Sequence, residues 1–205
     1  MRNKLLYVFF LLLISSFAFA QRFDGGILAG LNASQVEGDI YRGYHKPGIV
    51  GGFYVETDLA PAVFMAMEIK YSQKGSRKKV TEKDPDKYIM RLSYIDIPVY
   101  AAFRTNDRGA VVAGLSTGFL INSKEFDNYG EFPKEDKNAF NTIDLQPFLG
   151  FQFDFLDNLK VDLRIALSVL PIRGRQGEDG TNYYWQNNQF NNVITLAAYY
   201  QIGRR

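Results

Sequence analysis

Glu68 and Lys70 stand two residues apart, and so do Asp162 and Arg164. Glu56, Asp96, Asp144 and Asp154 have a similar setting, a lone charge within an apolar run. Carboxylates and cations brought together away from water could pass ions or protons. They could equally close a structural salt-bridge network, because a buried charge is tolerable only when paired and hydrogen-bonded. These eight residues, with Asp58 and Lys160, are the candidate charge network. The other candidates are weaker. His45 is the only histidine and falls in a polar connection, where a solvated side chain is the simple reading. Asp84, Asp86, Glu125, Asp127, Glu135 and Asp136 could bind calcium, but they lack EF-hand spacing and read as solvated loop charge. Arg77-Lys78-Lys79 could touch lipopolysaccharide phosphate, though a solvated loop is the simpler reading; Tyr183-Tyr184-Trp185 could form an aromatic platform, with an interfacial girdle the simpler reading. No nucleophile, base and metal set converges in the sequence, so the chain reads as non-enzymatic, with no catalytic residue, no cofactor and no metal site.

Strands must position the charged set. From Ile143 one parity reads Ile143, Leu145, Pro147, Leu149, Phe151, Phe153, Phe155; the other reads Asp144, Gln146, Phe148, Gly150, Gln152, Asp154. After Leu156-Asp157-Asn158 the alternation resumes, with Leu159, Val161, Leu163, Ile165, Leu167 and Val169 against Lys160, Asp162, Arg164, Ala166 and Ser168. Successive strand side chains point to opposite faces, so this is a hairpin of two long amphipathic strands. Each keeps its pattern for more than ten residues, enough for the roughly nine to eleven that cross a bilayer. One apolar face and one charged face mark a transmembrane β-hairpin.

The same period predicts strands over residues 23–36, 47–59, 63–74, 88–103, 110–121 and 190–202. In the fourth, the adjacent apolar residues Tyr94 and Ile95 suggest a β-bulge. Connections alternate between long (37–45, 75–87, 122–141, 172–189) and short (60–62, 105–109, 156–158). Outer-membrane barrels pair short periplasmic turns with long extracellular loops. The fold class is therefore an all-β, eight-stranded antiparallel up-and-down transmembrane barrel. Eight strands leave an interior just wide enough for side chains to fill.

Composition sets the compartment. Arg2, Asn3 and Lys4 precede an apolar run from Leu5 to Ile14, and Ala18-Phe19-Ala20 supplies a small-x-small cleavage site. Residues 1–20 read as a signal peptide cut after Ala20, and residues 21–205 as the barrel domain. Removing Arg2 and Lys4 lowers the 24 Lys+Arg to 22, matching the 22 Asp+Glu. A neutral mature chain gives no electrostatic reason to expect nucleic acid. There is no Cys, while Phe and Tyr number 17 and 13. An exported, aromatic-rich β chain fits the bacterial outer membrane, with lipid and lipopolysaccharide as its surroundings.

Several short segments carry a family resemblance. They are Ala29-Gly30-Leu31-Asn32, Pro47-Gly48 with Gly51-Gly52, the run from Glu68 to Gly75, Tyr94-Ile95-Asp96-Ile97-Pro98, and Leu163-Arg164. In this order and spacing the chain resembles the PorT-like outer-membrane β-barrel proteins of the Bacteroidetes lineage. It departs from that pattern at Asp144-Leu145-Gln146, where family members often show Asp-x-Gly, and at its end, Ile202-Gly203-Arg204-Arg205, which lacks a terminal aromatic. The resemblance implies an outer-membrane barrel; the namesake's link to type IX secretion implies possible secretion-system partners. It assigns no functional residue. Three functions stay open: a structural, adhesion or accessory barrel; a narrow porin-like pore or secretion component; and a soluble, lipocalin-like periplasmic binding barrel. The last would point the apolar parity inward.

Overall fold

The computed structural model describes residues 22–39, 41–82, 84–132, 139–174 and 188–202. The signal-peptide segment, Glu135, Asp136 and the Tyr183-Tyr184-Trp185 run lie outside these residues.

Alternation becomes strand throughout. The elements are β1 (Phe23–Glu37), β2 (Lys46–Ala60), β3 (Val63–Arg77), β4 (Ile89–Arg104), β5 (Gly109–Phe126), β6 (Ile143–Leu156), β7 (Leu159–Leu167), β8 (Arg173–Gly174) and β9 (Asn188–Ile202). Each long strand pairs antiparallel with its predecessor, and β1 closes on β9 from Gly25↔Ile202 to Glu37↔Phe190. The two-residue β8 pairs only with β9, so eight long strands form the closed barrel. Closure leaves no long strand with an unpaired edge, which a bilayer requires of any β structure.

The apolar parity faces outward. Leu31, Phe53, Leu149 and Ile202 are each 60% or more exposed. In water, every such side chain would forgo about 1.5–3 kcal/mol of burial; in lipid it forgoes nothing. The soluble alternative needs the opposite arrangement, and this outward apolar belt overturns it. The inner parity forms three small apolar clusters, around Phe64 and Tyr100, around Tyr54 and Tyr199, and around Met90, Leu92 and Tyr94. Polar groups fill the space between them.

Two local features differ from the sequence reading. The extra residue of the bulge lies on β5, not β4: Ser93 pairs with Asn122 and Tyr94 with Leu120, leaving Ile121 unpaired. Tyr94 keeps its inward parity and is fully buried, so its adjacency to Ile95 reflects a tyrosine filling the lumen. Strands β3 and β5 also outrun their apolar cores by several residues, because the barrel ladder continues above the lipid-facing belt.

The short ends are tightly built. In the 105–109 turn, the Asn106 side-chain oxygen accepts from the backbone N–H of Arg108 (3.0 Å) and Gly109 (2.7 Å), an Asx turn. The long connections all sit at the other end. An epitope inserted after Lys79 should label on intact cells, whereas one inserted within 105–109 should label only after permeabilisation. The reverse pattern would invert the orientation.

Candidate functional site

The inner parity stacks charged groups at three heights. Nearest the short turns, Lys160 on β7 donates to both carboxylate oxygens of Glu56 on β2, across the lumen. Asp154 stays half-buried at this end, opposite Lys160 in register. Asp58 sits outside the network: it pairs with Arg104 at the rim, with 66% of its side chain exposed.

Arg164 on β7 holds the middle. It lies 2.8 Å from Glu68 on β3 and 2.7 Å from Asp162 on its own strand. Its guanidinium also stands over the rings of Tyr100 (4.3 Å), Phe148 (4.9 Å) and Tyr199 (5.5 Å). The carboxylate contacts are close in distance but off hydrogen-bond direction. Charge proximity and ring quadrupoles therefore hold this cation. Glu68 is better satisfied, accepting from Lys70 (2.9 Å) and the Tyr199 hydroxyl (2.8 Å).

Lys74 on β3 organises the upper layer. Its ammonium donates to Gln146 (2.6 Å), Asp96 (3.0 Å) and Asp144 (3.5 Å), and it lies 4.6 Å from the Tyr94 ring centroid. Asp144 also accepts from the Ser168 hydroxyl (2.6 Å) and the Asn191 amide (2.8 Å). One ammonium thus bridges three strands.

The lumen between these layers is nearly full. The cavity beside Lys70, Lys74, Asp96 and Arg164 has a volume of about 20 Å³, space for a single water. At the long-loop end the chain turns inward after β7. Ile172 is fully buried against Val36, Met90, Leu92 and Tyr94. Its N–H donates to Gln189 O (2.8 Å), and its carbonyl accepts from Asn141 (2.7 Å). Arg173 forks onto Glu125 (2.9 and 3.1 Å) and stacks over Phe140 (4.3 Å). Tyr88 donates to the same carboxylate. Burial and that carboxylate hold the Tyr88 phenol well above its ordinary range, so it stays protonated. The 167–174 segment caps the lumen.

The barrel is thus filled at its centre and capped at its long-loop end. A profile of the outer membrane protein β-barrel domain matches residues 19–172. The chain belongs to that family. Among solved structures, this outer membrane β-barrel is similar to Ail, the attachment invasion locus protein of Yersinia pestis, in complex with the heparin analogue sucrose octasulfate. The TM-score is 0.52 at 14% identity, covering 88% of this chain and 99% of that one. It is also similar to Neisserial surface protein A, with a TM-score of 0.53 at 10% identity, covering 89% and 99%. At these identities the likeness shows the fold alone. No curated protein matches the chain. The barrel resides in the outer membrane.

Within this family member the weaker candidates disperse. His45 is exposed, its N–H turned back to Gly43 O. Asp84 accepts from Lys78, Asp86 from Asn128, and Asp127 from the N–H groups of Tyr129 and Gly130. Glu125 is buried on β5 against Arg173. Among the described residues no group of three or more His, Cys, Asp or Glu could hold a metal. The sequence reading missed Lys74, the hub of the upper layer. Extending the inward parity of Glu68, Lys70 and Ser72 by one more step would have found it. It also missed the Arg173–Glu125 fork, which joins two connections and carries no periodic signal.

Proposed function

We propose that this barrel is a non-enzymatic, non-conducting outer-membrane protein that acts through the surface formed by its long loops, in a structural, adhesion or accessory role. Outer-membrane lipid and lipopolysaccharide are its surroundings and partners. The inward charge set, buried Glu56, Glu68, Lys70, Asp96, Asp144, Asp162 and Arg164 with half-buried Asp154, serves as packing rather than as a path for ions. One observation carries this reading: three layers of paired charges fill the lumen, and Ile172 with the Arg173–Glu125 fork covers them. An ion entering would have to separate buried pairs, each breakage costing about 3–5 kcal/mol.

What remains open to a partner is the loop face. There Tyr41 stacks on Tyr88 at 4.7 Å and Tyr88 meets Phe132 at 6.5 Å, binding three connections into one surface. Tyr129 projects from its turn almost fully exposed. Ail was solved with a sulfated sugar analogue bound, and an adhesive role for this loop face follows the same broad pattern. The resemblance to PorT-like proteins favours a second placement, as an accessory subunit of a secretion assembly.

In planar lipid bilayers the purified protein should give no current above leak. Stable unitary steps would overturn the non-conducting reading and favour the narrow pore.

A further inference from the structure

On the outer face of β3, β4 and β5 the side chains change character with height. Ile69, Ile95 and Phe119 belong to the apolar belt. Above them Tyr71, Gln73 and Ser93 form a hydrogen-bonded row. The Tyr71 and Ser93 hydroxyls lie 3.0 Å apart, and the Gln73 amide donates to the Tyr71 oxygen at 2.9 Å. Tyrosines at such a boundary lie at the headgroup level of a bilayer. The next outward positions are all cationic: Arg91 on β4, Lys124 on β5 and, one step higher, Arg77 on β3.

The ladder puts these cations side by side. Arg91 is directly opposite Lys124 and also opposite Gly75; Arg77 pairs with Ile89 and is therefore diagonal to Arg91. Directly opposed residues have Cβ atoms roughly 4.5–5.5 Å apart and diagonal ones roughly 7–8 Å, and like charges so placed destabilise a sheet. The chain answers this repulsion only in part. Glu131 lies 3.0 Å from Lys124, and Arg91 leans over the Phe126 ring at 5.6 Å. Among the described residues no carboxylate forms an ion pair with Arg77 or Arg91. Lys78, next in sequence, is already paired with Asp84, so the basic run splits and only its first member joins this face.

Gly75, between Gln73 and Arg77 on β3, packs against the β4 backbone. Its φ is +133°, and a Cβ there would come 2.1 Å from the Met90 carbonyl oxygen. The position below Arg77 and beside Arg91 must therefore stay bare. Two exposed arginines and a half-buried lysine thus stand in adjacent register at headgroup height, on the long-loop side, with no side chain between Arg77 and Gln73 on β3. That geometry calls for a tetrahedral dianion, since Arg forks bind phosphate through paired N–H bonds. We infer that Arg77, Arg91 and Lys124 form a binding site for a phosphate of the lipid A headgroup. The lipid supplies the missing counter-ion, and its acyl chains lie along the apolar belt below. This deepens the lipopolysaccharide partnership proposed above and rests on it.

The test is lipid A binding to the full-length protein in detergent micelles, counted by native mass spectrometry. Wild type should bind bisphosphorylated lipid A at least tenfold more tightly than dephosphorylated lipid A. The Arg77→Gln/Arg91→Gln variant should lose that tenfold preference, and Lys124→Gln should lose part of it. Arg108→Gln, at the opposite end of the barrel, should keep it. Heat-modified mobility on a gel checks that each variant is folded; if the double variant is not, each single arginine variant takes its place. A preference unchanged in the arginine variants would overturn this site while leaving the lipopolysaccharide partnership standing. Equal binding of dephosphorylated lipid A by wild type would overturn the phosphate site alone, and no binding of either lipid would overturn both. Full displacement by inorganic phosphate at equal concentration would overturn the assignment to a lipid.

Discussion

Arg164→Leu is expected to destabilise the folded barrel by about 3–5 kcal/mol, the cost of breaking a buried ion pair by removing one partner. The substitution leaves Asp162 without its 2.7 Å cation and Glu68 with only Lys70 and Tyr199. Both carboxylates are fully buried, so water cannot replace the lost charge. The contacts with three aromatic rings go as well. Urea unfolding in lipid vesicles measures the loss, which should not change with bilayer thickness because none of the affected groups meets lipid. Arg164→Leu combined with Asp162→Leu should recover part of it, since removing both members of a buried pair is cheaper than stranding one. A loss under about 1 kcal/mol in the single variant would remove the packing role assigned to the network.

Ile165→Arg, one residue along, should fail differently. Ile165 faces outward beside Leu149 and Ile194, its register partners on β6 and β9. An arginine there meets acyl chains near mid-barrel, at a cost of about 2–4 kcal/mol. Its outward neighbours Leu149, Leu163, Leu167 and Ile194 offer no carboxylate, and the long side chain reaches headgroups more easily in thin bilayers. The loss should therefore shrink as the bilayer is thinned, in contrast to Arg164→Leu. Normal folding of Ile165→Arg in thick bilayers, or a folded wild type without detergent, would contradict the lipid-facing assignment.

These two neighbours show where sequence sufficed. Ile165 and Arg164 differ by one position, and in a strand one position is one face. Parity therefore separated the two faces from sequence alone, charge favoured the apolar one as the lipid side, and its exposure in the fold decided it. The alternation of long and short connections likewise determined the strand number and which ends carry the loops. These properties are local, because a strand's face period and its turns depend on adjacent residues alone.

The partnerships across the lumen are not local. Glu56 meets Lys160, and Lys74 meets Asp144, over separations of 104 and 70 residues. Parity places all four inward but cannot assign height, because height depends on strand stagger around the closed barrel. Lys74 was overlooked because its strand continues past the apolar core, where hydrophobic contrast fades while the hydrogen-bonded ladder goes on. The inward turn of Ile172 and the Arg173–Glu125 fork lie in connections that have no period to read. The row of Arg77, Arg91 and Lys124 depends on the register of three strands and on an unpaired residue at Ile121, which shifts the upper half of β5 relative to β4. Sequence alone determined a barrel with one apolar and one charged face, and the structure put the apolar face outward. Only the tertiary structure decided that its lumen is paired and capped, and that three cations meet at headgroup height, because stagger and loop closure are properties of the assembled sheet.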